Sequence, residues 1–139
     1  GRNVYMSGLS GAASDTTQQK CKVFTANLAQ AAATYDLATV NAVGGVVILG
    51  VDVYCVTAGA TFTSVAIASN DTVPVAILSA VEGAVANLSA GKNIAKAFTG
   101  PTYLHTGKKL QYAIVGVTGT GSLRVIVRYQ PSAAGADLS

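Results

Sequence analysis

Eight short segments rich in Val, Ile, Thr, Tyr and Phe limit what this chain can fold into more than any other feature does. Turns that contain Gly, Asn or Asp separate these segments, for example "VGG", "SND" and "HTGKK". Short apolar runs at near-regular spacing with such turns are typical of an antiparallel β-sandwich or barrel. We therefore expect an all-β fold of about eight strands, at residues 21–29, 33–40, 46–57, 61–69, 73–78, 93–98, 110–118 and 122–130.

The stretch "LQYAIVGVTGTGSLRVIVRYQP", residues 110–131, is the most regular part of the chain. Because side chains alternate between the two faces of a strand, its last segment has a core face and an outer face. The glycines in "VTGTGS" favour a tight turn, so we expect the last two strands to pair directly as a hairpin. The predicted core face carries Leu123, Val125, Val127 and Tyr129, and the predicted outer stripe carries Arg124, Ile126 and Arg128.

The residue pattern divides the chain into an extended N-terminal arm at 1–19, a β-sandwich domain at 20–131 and a C-terminal tail at 132–139. Both ends are rich in small and polar residues and have no sustained period. The arm also contains apolar side chains that cannot form a core of their own, which favours docking on a neighbouring subunit. These side chains are Val4, Tyr5, Met6 and Leu9.

One stretch departs from the β pattern. Residues 79–90, "SAVEGAVANLSA", contain helix-forming residues, with Val81, Val85 and Leu88 at spacings that place them on one helix face. Gly91 follows as a stop signal. We expect one short helical segment here, crossing an end of the sandwich.

The low charge of the chain bears on its partners. At 139 residues it is long enough for one domain with a core, and only 11% of the residues are charged. Little repulsion keeps copies apart, so we expect a homo-oligomer. The net charge of +3 is dispersed without the basic stripe that nucleic acid requires, and no apolar run of 18 residues occurs. We therefore expect neither a nucleic-acid partner nor a membrane-spanning helix.

Groups for catalysis or metal binding are scarce. The chain has one histidine, His105, and six carboxylates, and these are scattered. A nucleophilic triad or a zinc site needs such groups in combinations that are missing from this sequence. We interpret His105 as hydrogen-bonded to its own turn and Asp71 as capping its own loop. We expect no enzyme, no cofactor and no metal site.

Two cysteines and two aspartates lie within the apolar segments. Cys21 and Cys55 are interpreted as small buried hydrophobic residues. Asp36 and Asp52 each lie within an apolar segment. On an outer face they would be solvated, and at an interface they could pair with Arg or Lys of another chain.

The arm, the eight segments, the Ala/Thr/Val-rich surface and the closing "IVGVTGTGSLRVIVRYQP" together resemble small virion proteins of tailed bacteriophages. The similarity is to the head decoration, or cement, proteins. It covers residues 20–131, and the closing segment is its most specific piece. The resemblance implies a jelly-roll sandwich without a catalytic role, often a dimer or trimer, on the outer surface of the capsid. Such a protein clamps adjacent subunits of the major capsid protein.

The expected contacts come from the arm, the basic turn before the closing segment, and the outer stripe. Two other classes remain open: a receptor- or carbohydrate-binding β-sandwich of a phage fibre or tail, and a self-assembling coat protein. The first would use exposed aromatic residues, for which Tyr54 and Tyr103 are candidates. The second would need a concentrated basic surface. The candidate interface residues are Val4, Tyr5, Met6, Leu9, Lys108, Lys109, Arg124, Ile126 and Arg128.

Overall fold

The computed structural model describes residues 18–96, 98 and 100–139. Within these residues the chain forms nine strands and one 3-10 turn, at Val85–Asn87. The strands are β1 (Lys20–Asn27), β2 (Thr34–Thr39), β3 (Val46–Ala60), β4 (Ser64–Ser69), β5 (Ala76–Leu78), β6 (Asn93–Lys96), β7 (Tyr103–Leu104), β8 (Lys109–Val115) and β9 (Thr120–Pro131).

Two antiparallel sheets pack against each other. One has the strand order β1-β9-β3-β6, with β7 also paired to β3, and the other has the order β2-β8-β4-β5. The predicted all-β sandwich is therefore confirmed, and each of the eight predicted segments contains a strand. The short strand β7 is the one that the residue pattern did not indicate.

The core lies between the sheets and follows the alternation of the strands. Leu123, Val125, Val127 and Tyr129 of β9 are all fully buried at 0% exposure. On β8 of the facing sheet, the inward side chains of Leu110, Tyr112 and Ile114 are buried as well. The core face that was predicted for the last strand is confirmed.

The predicted hairpin between the last two strands is wrong. β8 pairs with β2 and β4, whereas β9 pairs with β1 and β3 of the other sheet. The connection at 116–119 therefore crosses from one sheet to the other. Gly116 has a φ of 105°, and a Cβ on Gly119 would lie 1.9 Å from the carbonyl oxygen of Ala60. These glycines allow the chain to pass close to other backbone as it crosses between the sheets. A glycine-rich connection between sheets has the same residue pattern as a hairpin turn, which is why the prediction failed.

The predicted helical segment at 79–90 is reduced to the 3-10 turn. Ser79 and Glu82 each accept a hydrogen bond from the other's backbone N–H, at 3.1 and 3.0 Å, as at a helix start. However, the carbonyl oxygen of Gly83 accepts from the Val65 N–H at 2.9 Å. The backbone thus bonds to β4 instead of forming another turn. Within the described part of the chain, no helix has the length and apolar character needed to cross a membrane.

Residues 132–139, which were predicted as a tail, pack into the sandwich. Ala136 and Leu138 are fully buried. Ser139 donates its N–H to the Thr39 carbonyl at 2.9 Å and accepts from the Thr39 N–H at 2.6 Å. The last residues therefore pair with the outer edge of β2 and belong to the folded domain.

Asp137 holds this last segment against the other sheet. Its carboxylate accepts hydrogen bonds from the Lys22 ammonium at 2.9 Å and from the Tyr129 hydroxyl at 2.5 Å. Burial by itself would raise the pKa of Asp137, but these two bonds outweigh it and lower the pKa to about 2. Burial and the neighbouring carboxylate raise the pKa of Tyr129, so its hydroxyl stays a donor.

Gly83→Ala should destabilise the protein by about 1–3 kcal/mol, because the added methyl group forces the backbone apart. A Cβ at this position would lie 1.8 Å from the Val65 carbonyl oxygen. The matched control is Gly100→Ala, where the Cβ would meet nothing within 4 Å. Urea unfolding measures both, and an equal effect of the two substitutions would show that the contact with Val65 is unimportant.

Asp137→Asn should cost about 1–2 kcal/mol at neutral pH, a value reduced for partial exposure of the carboxylate. Since the folded-state pKa of Asp137, about 2, lies below its unfolded value, this stabilisation is present above about pH 4 and is lost as the pH falls towards 2. The free energies of unfolding of the variant and the wild type should therefore converge in acid. A gap that stayed constant from neutral to acidic pH would contradict the assignment.

Candidate interaction surface

The predicted outer stripe lies on the exposed face of the sheet that contains β9. Arg124, Ile126 and Arg128 alternate with the buried residues of β9, and both arginines are exposed. Neighbouring strands extend this face on both sides. We call the following nine residues the outer β9 face: Arg124, Ile126 and Arg128 of β9, Cys21, Val23 and Thr25 of β1, and Gly50, Asp52 and Tyr54 of β3.

The middle row of the outer β9 face consists of Val23, Ile126 and Asp52, and an arginine lies on β9 at each end of the face. Ile126 lies directly opposite Val23, whose side chain is 56% exposed. Arg124 lies opposite Tyr54, which is 37% exposed. With strands about 4.8 Å apart and about 13 Å between positions four residues apart, the backbone under this face covers roughly 10 by 13 Å.

The two arginines of this face differ in their surroundings. Arg128 donates to Asp52 at 3.0 Å. Its guanidinium lies over the backbone of Gly50, where a Cβ would approach Nη2 to 2.4 Å. Among the residues that the structure describes, Arg124 has no carboxylate partner. Arg128 is thus held flat and neutralised, while Arg124 is available to bind an acidic group.

The remaining predicted interface residues do not join this face. Lys109 lies on the outer face of the other sheet, where it donates to Asp36 at 2.7 Å. Hydrogen bonds from Lys109 and then Gln111 lower the pKa of Asp36. Lys108 lies in the turn before β8. The predicted arm contacts Val4, Tyr5, Met6 and Leu9 lie outside the described residues.

Cys21 and Cys55 differ in burial. Cys55 is buried at 1% exposure, as predicted, and burial raises the pKa of its thiol. The prediction for Cys21 is wrong, because this residue is exposed on the outer β9 face, opposite Arg128. The alternation of β1 decides this: its inward positions hold Lys22 and Phe24 instead.

His105 and Asp71 were both expected to bond within their own loops, and both interpretations are wrong. The Asp71 carboxylate, only 1% exposed, accepts the backbone N–H of His105 at 3.0 Å and also bonds Nδ1 of its ring. Burial by itself raises the pKa of Asp71, but the hydrogen bonds from His105 and Ser69 lower it overall. The pair joins the loops at 70–75 and 105–108.

This pair was not visible in the sequence because its members are 34 positions apart. Tyr103 packs edge-on against the His105 ring, with 4.8 Å between the centroids. The ring is therefore fixed on two sides, and its side chain is still 61% exposed. Within the described residues, no three His, Cys, Asp or Glu side chains come close enough to share a metal ion. The arrangement connects two loops.

Every Asp and Glu in the described part of the chain is paired with a basic side chain of the same chain. Asp36 and Asp52 lie on outer faces, one of the two placements expected for them, and their side chains are 52% and 28% exposed. Each pairs with a cation of its own chain, so within the described residues no Asp or Glu is left unpaired. The pairs are Asp36 with Lys109, Asp52 with Arg128, Asp71 with His105, Glu82 with Lys96, and Asp137 with Lys20 and Lys22.

No family model matches the chain, and searches among curated proteins and among solved structures return no match either.

Asp71→Ala should destabilise the protein by about 1–3 kcal/mol, because it removes two hydrogen bonds that a buried carboxylate makes to one residue. His105→Ala should cost less, since the backbone N–H to the carboxylate remains. Asp52→Ala, which removes a surface ion pair, is the control and should cost at most about 1 kcal/mol. Thermal unfolding measures all three, and equal losses for Asp71→Ala and Asp52→Ala would contradict a special role for the buried acid.

Proposed function

We propose that this chain is a structural virion protein that binds the outer surface of a phage capsid and stabilises adjacent subunits of the major capsid protein. The observation that carries the proposal is the outer β9 face, which combines an apolar pair, exposed Val23 and half-buried Ile126, with a cationic residue, Arg124, that has no acid partner among the described residues. The choice of capsid as the partner comes from the resemblance of the closing segment to head decoration proteins.

The outer β9 face is rigid enough to bind without being reordered. β9 is paired with β3 along nearly its whole length and with β1 over residues 122–129. Its inward side chains are fully buried, so the outward ones project from a fixed backbone. Binding through such a face costs little conformational entropy.

The composition of this face suits contact with a protein. Aromatic residues and Arg are enriched in protein interfaces, where they supply most of the binding energy. Tyr54 and Arg124 provide this combination, and Ile126 with Val23 provides an apolar pair beside it. Since every described Asp and Glu is already paired, the docking site on the capsid should supply an acid for Arg124 and an apolar depression for Ile126.

The small size of the face favours a repetitive partner. Its backbone footprint of roughly 10 by 13 Å is far below the ~800 Å² that a standard interface buries on each side. A single contact of this size is weak. On a lattice, linked copies reach high avidity without any stronger individual contact. The order of strands in the two sheets also supports the jelly-roll fold that decoration proteins are expected to have.

A second candidate function is binding of a carbohydrate or receptor by the same face. The observation in its favour is Tyr54, which is exposed between Arg124 on β9 and Asn93 on β6. An aromatic ring between two polar side chains can stack on a sugar. Binding on a glycan array that is lost in Tyr54→Ala would favour this function over the first.

Val23→Asp and Arg124→Glu should each weaken binding to capsids that lack this protein by at least about tenfold, because they charge or invert the contact face. Val73→Asp is the matched control, since Val73 is 60% exposed and lies in the loop after β4, away from this face. Cosedimentation with the capsids gives the affinities. Unchanged binding of both variants, or an equal loss in Val73→Asp, would rule out the outer β9 face as the contact.

A further inference from the structure

A cavity of about 370 Å³ lies beside the pair of Asp71 and His105. Its walls come from the two loops that this pair joins, and none of its residues belongs to the outer β9 face. Sites that bind small molecules in proteins measure about 300–1,000 Å³, so this cavity has room for one small molecule. The lining residues are Asp71, Thr72, Val73, His105 and Lys108.

Hydrogen bonds hold both walls of this cavity in place. Ser69 donates its N–H to the Val75 carbonyl at 2.9 Å, which closes the loop between them. Asn70 donates its N–H to the Lys109 carbonyl at 3.0 Å, and its side-chain oxygen accepts the Lys109 N–H at 2.8 Å. The two loops are thereby tied to each other, so a ligand finds the lining groups already positioned.

The Asp71 carboxylate decides which nitrogen of the His105 ring carries the hydrogen. Burial raises the pKa of Asp71, but hydrogen bonds from His105 lower it overall, so the carboxylate is ionised at neutral pH. An ionised carboxylate only accepts hydrogen bonds, and Nδ1 must therefore be the donor in its bond to Asp71. In the neutral ring, Nε2 is then left with a lone pair that accepts a hydrogen bond. The His105 side chain lines the cavity and is 61% exposed, so it offers this acceptor to a ligand.

Lys108 supplies a positive charge to the same cavity. It has no acid partner among the residues that the structure describes, whereas the neighbouring Lys109 donates to Asp36 at 2.7 Å. The Asp71 side chain is only 1% exposed, and His105 already binds its carboxylate twice. The charge that a ligand meets here is therefore the Lys108 ammonium, which favours an anionic group.

We propose that this cavity binds a small hydroxycarboxylate, whose carboxylate contacts Lys108 and whose hydroxyl group donates to Nε2 of His105. A carboxylate without a hydroxyl would bring no donor to Nε2, and a neutral alcohol would bring no anion to Lys108. Thr72 and Val73 form the wall against which the carbon skeleton packs. This inference does not use the outer β9 face, so it holds or fails independently of the proposed function.

Isothermal titration calorimetry with glucuronate and with lactate tests this site. The two ligands share the proposed chemistry, and their comparison tells an acidic sugar from a short hydroxy acid. At least one of them should bind. Glucose and acetate each lack one of the two groups, so they should bind at least about tenfold more weakly. No measurable binding of either hydroxycarboxylate, or equally tight binding of glucose or acetate, would overturn the proposal.

Two substitutions locate the binding. Lys108→Gln removes the charge, and His105→Phe keeps a ring but removes Nε2, so each should weaken binding of the hydroxycarboxylate at least about tenfold. If His105→Phe does not fold, Lys108→Gln still decides, because it should also abolish the preference for glucuronate over glucose or for lactate over the corresponding neutral alcohol.

Lys92→Gln is the matched control. Lys92 is exposed, and its carbonyl accepts the N–H of Cys55. Cys55 lies about 30 Å along β3 from Val46, which pairs with Leu104 next to His105. This variant should bind like the wild type. Equal losses in Lys92→Gln and Lys108→Gln, or unchanged binding in Lys108→Gln, would show that the ligand does not occupy this cavity.

Discussion

The pairing of β9 with β1 on one side and with β3 on the other is the interaction on which the rest of the structure depends. A shift of this pairing by one residue would turn four fully buried side chains outward, so the register is strongly specified. The same register places Arg124, Ile126 and Arg128 on the outside. It also positions Tyr129 to hold Asp137, and through Asp137 the last residues of the chain.

The few charges of the chain mostly stabilise its own fold. Lys22 holds the C-terminal segment and His105 joins two loops, while Lys109 and Arg128 each neutralise an acid on an outer face. What remains for other molecules is apolar surface and isolated positive charge. The outer β9 face combines the two.

Side chains that alternate with a period of two are a local property of the sequence. This alternation was enough to predict the all-β class, the core face of β9 and the outer stripe. The prediction of a hairpin at 116–119 was wrong. A glycine-rich connection has the same composition whether the chain returns to the same sheet or crosses to the other one. The prediction of a helix at 79–90 was wrong because the carbonyl oxygen of Gly83 accepts a hydrogen bond from Val65 of β4. Helix propensity depends on neighbouring residues only, so it does not include this contact with a distant strand.

The sequence by itself determined which residues form strands and which side of β9 is buried, since both depend on side chains only a few positions apart. Tertiary structure decided which strands share a sheet, that Cys21 is exposed, and that Asp71 meets His105. These features join residues that are distant along the chain, and their proximity arises only when the two sheets close over a common core.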